Sequence, residues 1–107
     1  MKIYYAHPIG IYHTDQEKKD LKLIAELVTD CIIINPSDQK IADDFEQWKK
    51  TKSKSDHDMR FFKDIIKRCD GVCFRGNTQG VKYEVAKAIE FDIPTFDLTI
   101  LDNNEDQ

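Results

Sequence analysis

The sequence predicts an α/β fold, in which helices cover a small sheet of parallel strands. Short apolar runs alternate along the chain with longer segments whose apolar residues recur at helical spacing. Strands separated by helices pair in parallel through right-handed crossovers. The chain has 107 residues, which is enough for one core of modest size. We therefore expect a single domain over residues 1–101, followed by an acidic tail at 102–107.

The composition of the chain limits the partners and the cellular compartment that we expect for the protein. Charged residues make up 34% of the chain and the net charge is −4, which argues against nucleic acid as a partner. No apolar run approaches the roughly 20 residues of a membrane span. The first residues begin directly as a strand, without the apolar core of a signal peptide. We therefore expect no membrane partner and a cytoplasmic protein.

The cysteines and histidines give no sign of a metal or a cofactor. Cys31, Cys69 and Cys73 are odd in number and form no Cys-x-x-Cys pair, so they are expected to be small buried apolar residues. No spacing of histidine, cysteine and aspartate matches a standard metal site. The sequence thus predicts neither a metal nor a cofactor.

The first third of the chain predicts two strands joined by a helix. Residues 3–6 form the first apolar run, and a loop follows it. Thr14-Asp15-Gln16-Glu17 is a capping box, which predicts that a helix begins at about Asp15. Residues 31–34 form a second buried strand, which Asn35-Pro36 ends.

The middle of the chain predicts two helices. A short helix at 42–50 carries Phe45 and Trp48, and a loop rich in serine and lysine follows at 51–55. Ser55-Asp56-His57-Asp58 can cap a third helix, because short polar side chains bind the free amides of a helix N-terminus.

The last third predicts two more strands around one long helix. Strands are expected at 72–74 and 94–98, and the helix at 81–91. The resulting order of elements predicts a flavodoxin-like or Rossmann-like three-layer sandwich of four to five parallel strands. Such a sheet has its topological switch point beside the first strand.

Glu84 is the most informative single residue, because it lies near the start of the helix after the third strand. Ligands of open α/β sheets bind outside the carboxyl ends of the strands. The positive end of the helix dipole also favours a carboxylate there. Glu84 is therefore a candidate nucleophile or base, and the alternative is a helix-start glutamate without chemistry.

The first strand brings further candidates to the same edge of the sheet. Alternation places Tyr4 and Ala6 on one face and Tyr5 on the other. A tyrosine hydroxyl can orient a carboxylate or share its proton, although packing of the ring is the simpler role. His7 follows the strand and is a candidate general acid or donor to a sugar or phosphate, or else a local structural hydrogen bonder.

The loop Gly76-Asn77-Thr78-Gln79-Gly80 precedes a helix, so its backbone amides can receive an anion. It lacks the complete phosphate-binding and dinucleotide-binding patterns. An ordinary strand-to-helix connection, with glycines for the turn, is the alternative.

Two segments together resemble the nucleoside 2-deoxyribosyltransferase superfamily, which includes the 2′-deoxynucleoside 5′-monophosphate N-hydrolases. Ile3-Tyr4-Tyr5-Ala6-His7-Pro8 is similar to its Ile-Tyr-x-Ala-Gly-Pro opening strand. Gly80-Val81-Lys82-Tyr83-Glu84-Val85-Ala86-Lys87-Ala88 is similar to its Gly-x-Gly-Tyr-Glu-x-Gly-x-Ala block, which follows an aspartate and an apolar strand as it does here after Asp70.

The resemblance implies an enzyme that acts on a nucleoside or nucleotide and works as a homodimer or a higher homo-oligomer. Glu84 would be the nucleophile that attacks the anomeric carbon and displaces the base, and Tyr4 would contact it. Thr78 matches a hydroxyl residue that binds the 5′-phosphate in some members. The matching positions imply the following substrate-binding residues: Ala6, Pro8, Gly76, Asn77, Thr78 and Gly80.

The chain departs from the family pattern in three ways. Phe62 stands where members carry an aspartate that assists the leaving base or holds the sugar; Asp58, one turn earlier, or Asp64 would have to substitute. His7 replaces a glycine, and Lys82 and Ala86 replace two others. The chain also ends soon after the fourth strand, where larger members continue.

These observations leave several functions open. The leading hypothesis is cleavage of an N-glycosidic bond or transfer of a deoxyribosyl group, with Glu84 as nucleophile and His7, Asp58 or Tyr4 assisting the base. The alternative is a non-catalytic nucleotide-binding or sensing module on the same fold. A response or interaction domain is a third possibility, but no phosphoacceptor arrangement of aspartates supports it.

Overall fold

A computed structural model of the chain describes residues 1–51 and 59–102. Four parallel strands form one sheet in the order β2-β1-β3-β4. The strands are β1 (Lys2–Ala6), β2 (Ile32–Ile34), β3 (Gly71–Phe74) and β4 (Thr95–Asp97). The predicted α/β class and the flavodoxin-like strand order are therefore confirmed, with β1 and β3 as the two central strands.

Within the described ranges, five α-helices connect and follow these strands. They are α1 (Asp15–Leu27), α2 (Gln39–Thr51), α3 (Met59–Ile66), α4 (Gln79–Glu90) and α5 (Thr99–Asp102). A short 3-10 helix, Ile9–Ile11, lies in the loop after β1. The sequence did not predict this 3-10 helix or α5. Among the described residues, no helix is both long enough and apolar enough to cross a membrane.

The alternation of side chains along β1 divides the core into two layers. Tyr4 and Ala6 are fully buried on the face that packs against α3 and α4, together with Ile66 and Ala88. The opposite face packs against α1 through the cluster Ile3, Tyr5, Ile24, Cys73 and Leu98. A central sheet between two helical layers follows, as the sequence predicted.

Asp70 fixes the pairing of β1 with β3 at the amino ends of the two strands. Its carboxylate accepts a hydrogen bond from the Lys2 amide at 2.8 Å, and its own amide donates to the Lys2 carbonyl at 2.8 Å. This register places Tyr4 beside Val72 and Ala6 beside Phe74. The two central strands therefore end together, and the loops that follow them meet at the same edge.

Two helix starts differ from the sequence prediction. The structure begins α2 at Gln39, because the Asn35 side chain accepts from the Ser37 amide at 3.0 Å and turns the chain directly into the helix. It begins α4 at Gln79, where Thr78 is the N-cap. Gln79 and Gly80 therefore belong to the first turn of α4 rather than to a loop.

Two residues at the edges of the predicted elements also differ. Cys31 was expected within the second strand but lies just before β2, where it is half-buried. Asp102 was expected to open an acidic tail, yet it ends α5. The rest of that tail, 103–107, lies outside the described residues.

Candidate functional site

A cavity of about 390 Å³ opens at the carboxyl ends of β1 and β3. The loop after β1 forms one wall, the first turns of α4 form another, and Phe62 of α3 closes a third side. Most of this lining is apolar, including Pro8, Ile9 and Val81. The cavity therefore has the position expected of a ligand site in this class of sheet.

Glu84 projects into this cavity and is bound by Tyr4. A helix that begins at 81 would place Glu84 in its first turn. Because α4 begins at Gln79, Glu84 lies in the second turn instead. The helix dipole acts mainly within the first turn, so it explains little of the carboxylate's position. The Tyr4 hydroxyl donates a hydrogen bond to Oε2 of Glu84 instead.

Burial dominates the electrostatics of this pair. Glu84 is only 7% exposed and Tyr4 is fully buried. Desolvation raises the pKa of Glu84 to about 7, against the lowering effect of the Tyr4 hydrogen bond. Burial and the neighbouring Glu84 also raise the pKa of Tyr4 well above its ordinary value. Near neutral pH, Glu84 therefore exchanges between carboxylate and carboxylic acid while Tyr4 stays a neutral donor.

His7 lines the same cavity, but both of its ring nitrogens are bound within the protein. Nδ1 lies 3.0 Å from the Tyr5 carbonyl oxygen, and Nε2 lies 2.8 Å from Oε2 of Glu17. The ring stacks on Tyr5 with its centroid 3.7 Å away, and its side chain is fully buried. This arrangement leaves no nitrogen for a substrate, so it does not favour the predicted role of His7 as general acid.

Glu17 holds the imidazole ring of His7 in place. The predicted capping box forms only in part: Thr14 accepts from the Glu17 amide, while the Glu17 carboxylate binds His7 and the His13 amide. Burial alone would raise the pKa of Glu17, but the hydrogen bond from His7 and the contacts with Ser37 and His13 lower it below its ordinary value. Glu17 is thus an anion whose partner is His7.

The predicted substrate-binding residues divide into two groups. Pro8, Thr78 and Gly80 line the cavity with Glu84. Thr78 also accepts a hydrogen bond from the Val81 amide at 3.4 Å as the cap of α4. Ala6 is instead fully buried in β1, so its side chain belongs to the core and not to the site.

Gly76 and Asn77 lie away from the Glu84 cavity, beside two other hollows of the surface. Gly76 has a φ of +88°, and a Cβ there would lie 2.8 Å from Cγ of Pro8. Glycine is therefore required by both conformation and space. Its role is to let the loop after β3 approach the loop after β1.

Phe62 stands where the family that the chain resembles carries an aspartate, and it forms an apolar wall of the cavity. Phe62 lines the cavity and packs on Phe45 of α2, with ring centroids 5.0 Å apart. Asp64 is exposed, and it does not line this cavity. Asp58 lies outside the described residues. Of the two candidate substitutes, the structure therefore gives no support to Asp64.

Sequence reasoning missed a second buried carboxylate site on the other face of the sheet. The Tyr5 hydroxyl donates to Oδ2 of Asp20 at 2.5 Å, and Nε of Arg75 donates to the same oxygen at 2.7 Å. Arg75 also binds both carboxylate oxygens of Asp102, at 2.6 and 3.0 Å. The signal in the sequence was Glu17 and Asp20, two acidic residues on the face of α1 that its apolar residues mark as buried.

Comparisons with known proteins add nothing to this geometry: no family model, no curated protein and no solved structure matches the chain significantly.

Proposed function

We propose that this protein cleaves the N-glycosidic bond of a (deoxy)nucleoside or its 5′-monophosphate, or transfers the sugar, with Glu84 as nucleophile. One observation carries the proposal: a carboxylate that is almost fully buried, bound by the Tyr4 hydroxyl, faces a cavity at the carboxyl edge of the sheet. Buried titratable groups that face a cavity are candidates for chemistry.

The chemistry needs a carboxylate next to the anomeric carbon. The transition state of glycoside cleavage resembles an oxocarbenium ion, and a nearby carboxylate stabilises it or bonds to it. Glu84 would act in its ionised form, which its pKa of about 7 makes available near neutral pH. Tyr4 would hold the carboxylate in place by donating to Oε2 and leave Oε1 to face the sugar.

The rest of the cavity suits a small ligand with apolar faces. Phe62 and Val81 provide flat or apolar surface against which a sugar or base can pack, and Thr78 supplies a hydroxyl at the start of α4. A volume of about 390 Å³ lies within the range of small-molecule sites.

A non-catalytic nucleotide-binding module is the second candidate, and two features favour it. Phe62 occupies the position of the family's aspartate, and His7 has no free ring nitrogen. A protein without a group to assist the leaving base would bind the ligand and release it unchanged.

Turnover with a matched pair of variants distinguishes the two candidates. Purified protein is incubated with the common 2′-deoxynucleosides, ribonucleosides and their 5′-monophosphates, and free base is measured by chromatography. We expect base release by the native protein and a loss of at least about 1000-fold in Glu84→Gln, since the nucleophile is removed. Glu90→Gln is the control, because Glu90 lies exposed on the same helix.

Each alternative outcome has a defined meaning. Base release that survives in Glu84→Gln would overturn the role of Glu84. Thermal stabilisation of the native protein by one of these ligands, without base release, would support the binding module.

A further inference from the structure

The proposed function leaves one role unfilled among the described residues, namely the group that assists departure of the base. Tyr4 donates its hydroxyl hydrogen to Glu84. Both ring nitrogens of His7 are held by Tyr5 and Glu17. Neither can turn to a leaving base without breaking a buried hydrogen bond and leaving its partner unpaired.

Tyr12 lines the same cavity as Glu84 and has a different environment. The end of the 3-10 helix holds its backbone, since its amide donates to the Ile9 carbonyl at 3.0 Å. Its ring lies against the locked ring of His7, with centroids 4.7 Å apart. Tyr12 therefore has a rigid support behind it and the cavity in front.

The hydroxyl of Tyr12 is available, unlike those of the two tyrosines in β1. Tyr4 and Tyr5 each donate to a buried carboxylate. The Tyr12 hydroxyl makes no hydrogen bond with any residue within 1–51 or 59–102. Burial, Glu84 and Glu17 raise the pKa of Tyr12 to about 12, so the hydroxyl keeps its proton.

We propose that Tyr12 is the residue that assists the leaving group, by donating a hydrogen bond to the base nitrogen as it departs from the sugar. The inference rests on the proposed function. The sequence did not single out Tyr12, because only the 3-10 helix and the packing on His7 bring it to the cavity.

The step balances with water as the only co-reactant. An oxygen of Glu84 bonds to the anomeric carbon, and the electron pair of the broken C–N bond goes to the base. Tyr12 stabilises the base anion by its hydrogen bond, and the base then takes a proton from water. The hydroxide that remains attacks the anomeric carbon, which breaks the bond to Glu84 and restores its carboxylate.

The test uses leaving groups that need different amounts of assistance. Native protein, Tyr12→Phe and Glu84→Gln are assayed with the common 2′-deoxynucleosides and with 4-nitrophenyl 2-deoxyriboside, whose nitrophenolate departs without assistance. We expect Tyr12→Phe to cleave the nucleosides at least about 100-fold more slowly, the usual size of such assistance. With the nitrophenyl substrate, we expect Tyr12→Phe to match the native protein.

The nitrophenyl substrate distinguishes failure of the Tyr12 proposal from failure of the proposed function. Equal losses on both substrates in Tyr12→Phe would show a structural role and overturn the proposal, as would no loss on either. If Glu84→Gln remains active on both substrates, the proposed function fails independently of Tyr12. If the native protein cleaves neither substrate, both inferences are overturned.

Discussion

Two neighbouring tyrosines in β1 each bind a buried carboxylate, one on each face of the sheet. Tyr4 donates to Glu84 on the side of α4, and Tyr5 donates to Asp20 on the side of α1. The two pairs share the same chemistry and the same strand. They differ in what else surrounds the carboxylate.

The charge of Asp20 is balanced within the protein by Arg75. Besides Tyr5, it receives hydrogen bonds from Arg75 at 2.7 Å and from Gln16 at 3.0 Å, and it is fully buried. Arg75 balances its charge, and both of its oxygens accept hydrogen bonds from side chains of the protein itself. This pair therefore joins α1 to the end of β3.

Glu84 has no such cation: among the residues of known placement, none forms an ion pair with it. Among the described side chains, the Tyr4 hydroxyl alone donates a hydrogen bond to it, and it lines the cavity. The comparison teaches that burial alone does not mark a functional carboxylate. Glu84 differs from Asp20 in that no described cation pairs with it and a cavity lies beside it, and the proposed function depends on this difference.

The largest expected effect comes from removing the cation of the Asp20 pair. Arg75→Leu leaves Asp20 buried without a counter-charge, which we expect to lower the free energy of unfolding by about 3–5 kcal/mol. Urea denaturation measures this. Arg68→Leu, an exposed arginine after α3, is the control and should change stability by less than about 0.5 kcal/mol.

Asp20→Asn combined with Arg75→Leu sharpens this result, because it removes the uncompensated charge and keeps an acceptor for Tyr5. We expect the double variant to be more stable than Arg75→Leu alone. If the loss in Arg75→Leu were as small as in Arg68→Leu, Asp20 and Glu84 would be energetically alike, and the comparison would fail.

A smaller effect, with a distinct dependence on pH, is expected at Glu84. Its pKa is about 7 in the folded protein and about 4.5 when unfolded, so folding favours the protonated form. Its contribution to stability is complete below about pH 4.5 and is lost as the pH rises through 7, in total about 3 kcal/mol. Glu84→Gln lacks this loss and should gain stability relative to the native protein between pH 5 and pH 8.

Urea denaturation at the two pH values measures the relative gain. Glu90→Gln is again the control: its pKa lies below the ordinary value because of its hydrogen bond with Lys87, so it gives no loss of this sign. A difference between native protein and Glu84→Gln that stays constant from pH 5 to pH 8 would show that Glu84 titrates normally.

The smallest effect is expected where Arg75 meets Asp102. The Asp102 side chain is 49% exposed, and solvent weakens such a pair. We expect Asp102→Asn to lower the free energy of unfolding by less than about 1 kcal/mol, measured in the same way. A loss close to that of Arg75→Leu would mean that α5, and not Asp20, is the important partner of Arg75.

The sequence predicted the fold more completely than the site. Apolar alternation was enough to place Tyr4 and Tyr5 on opposite faces, and the spacing of strands and helices was enough for the parallel order. Helix starts were less predictable, because the Asn35 turn and the Thr78 cap extend α2 and α4 beyond their apolar residues.

Less of the site was predicted, and its one correctly predicted contact came from the resemblance. The resemblance paired Tyr4 with Glu84, and the structure brings them together; their catalytic roles remain a prediction. The engagement of His7 was unpredictable, since Glu17 reaches it only through the packing of α1 against β1. A side chain whose partners come from another element cannot be assigned from its own segment.

The close approach of Gly76 to Pro8 couples the loop after β3 to the loop after β1. Any side chain at position 76 would collide with the Pro8 ring, which also forms part of the cavity wall. The two positions therefore cannot vary independently. An engineer who wishes to reshape the mouth of the cavity has to alter both loops together, because the positive φ of Gly76 excludes a side chain there even when the residue at 8 is smaller.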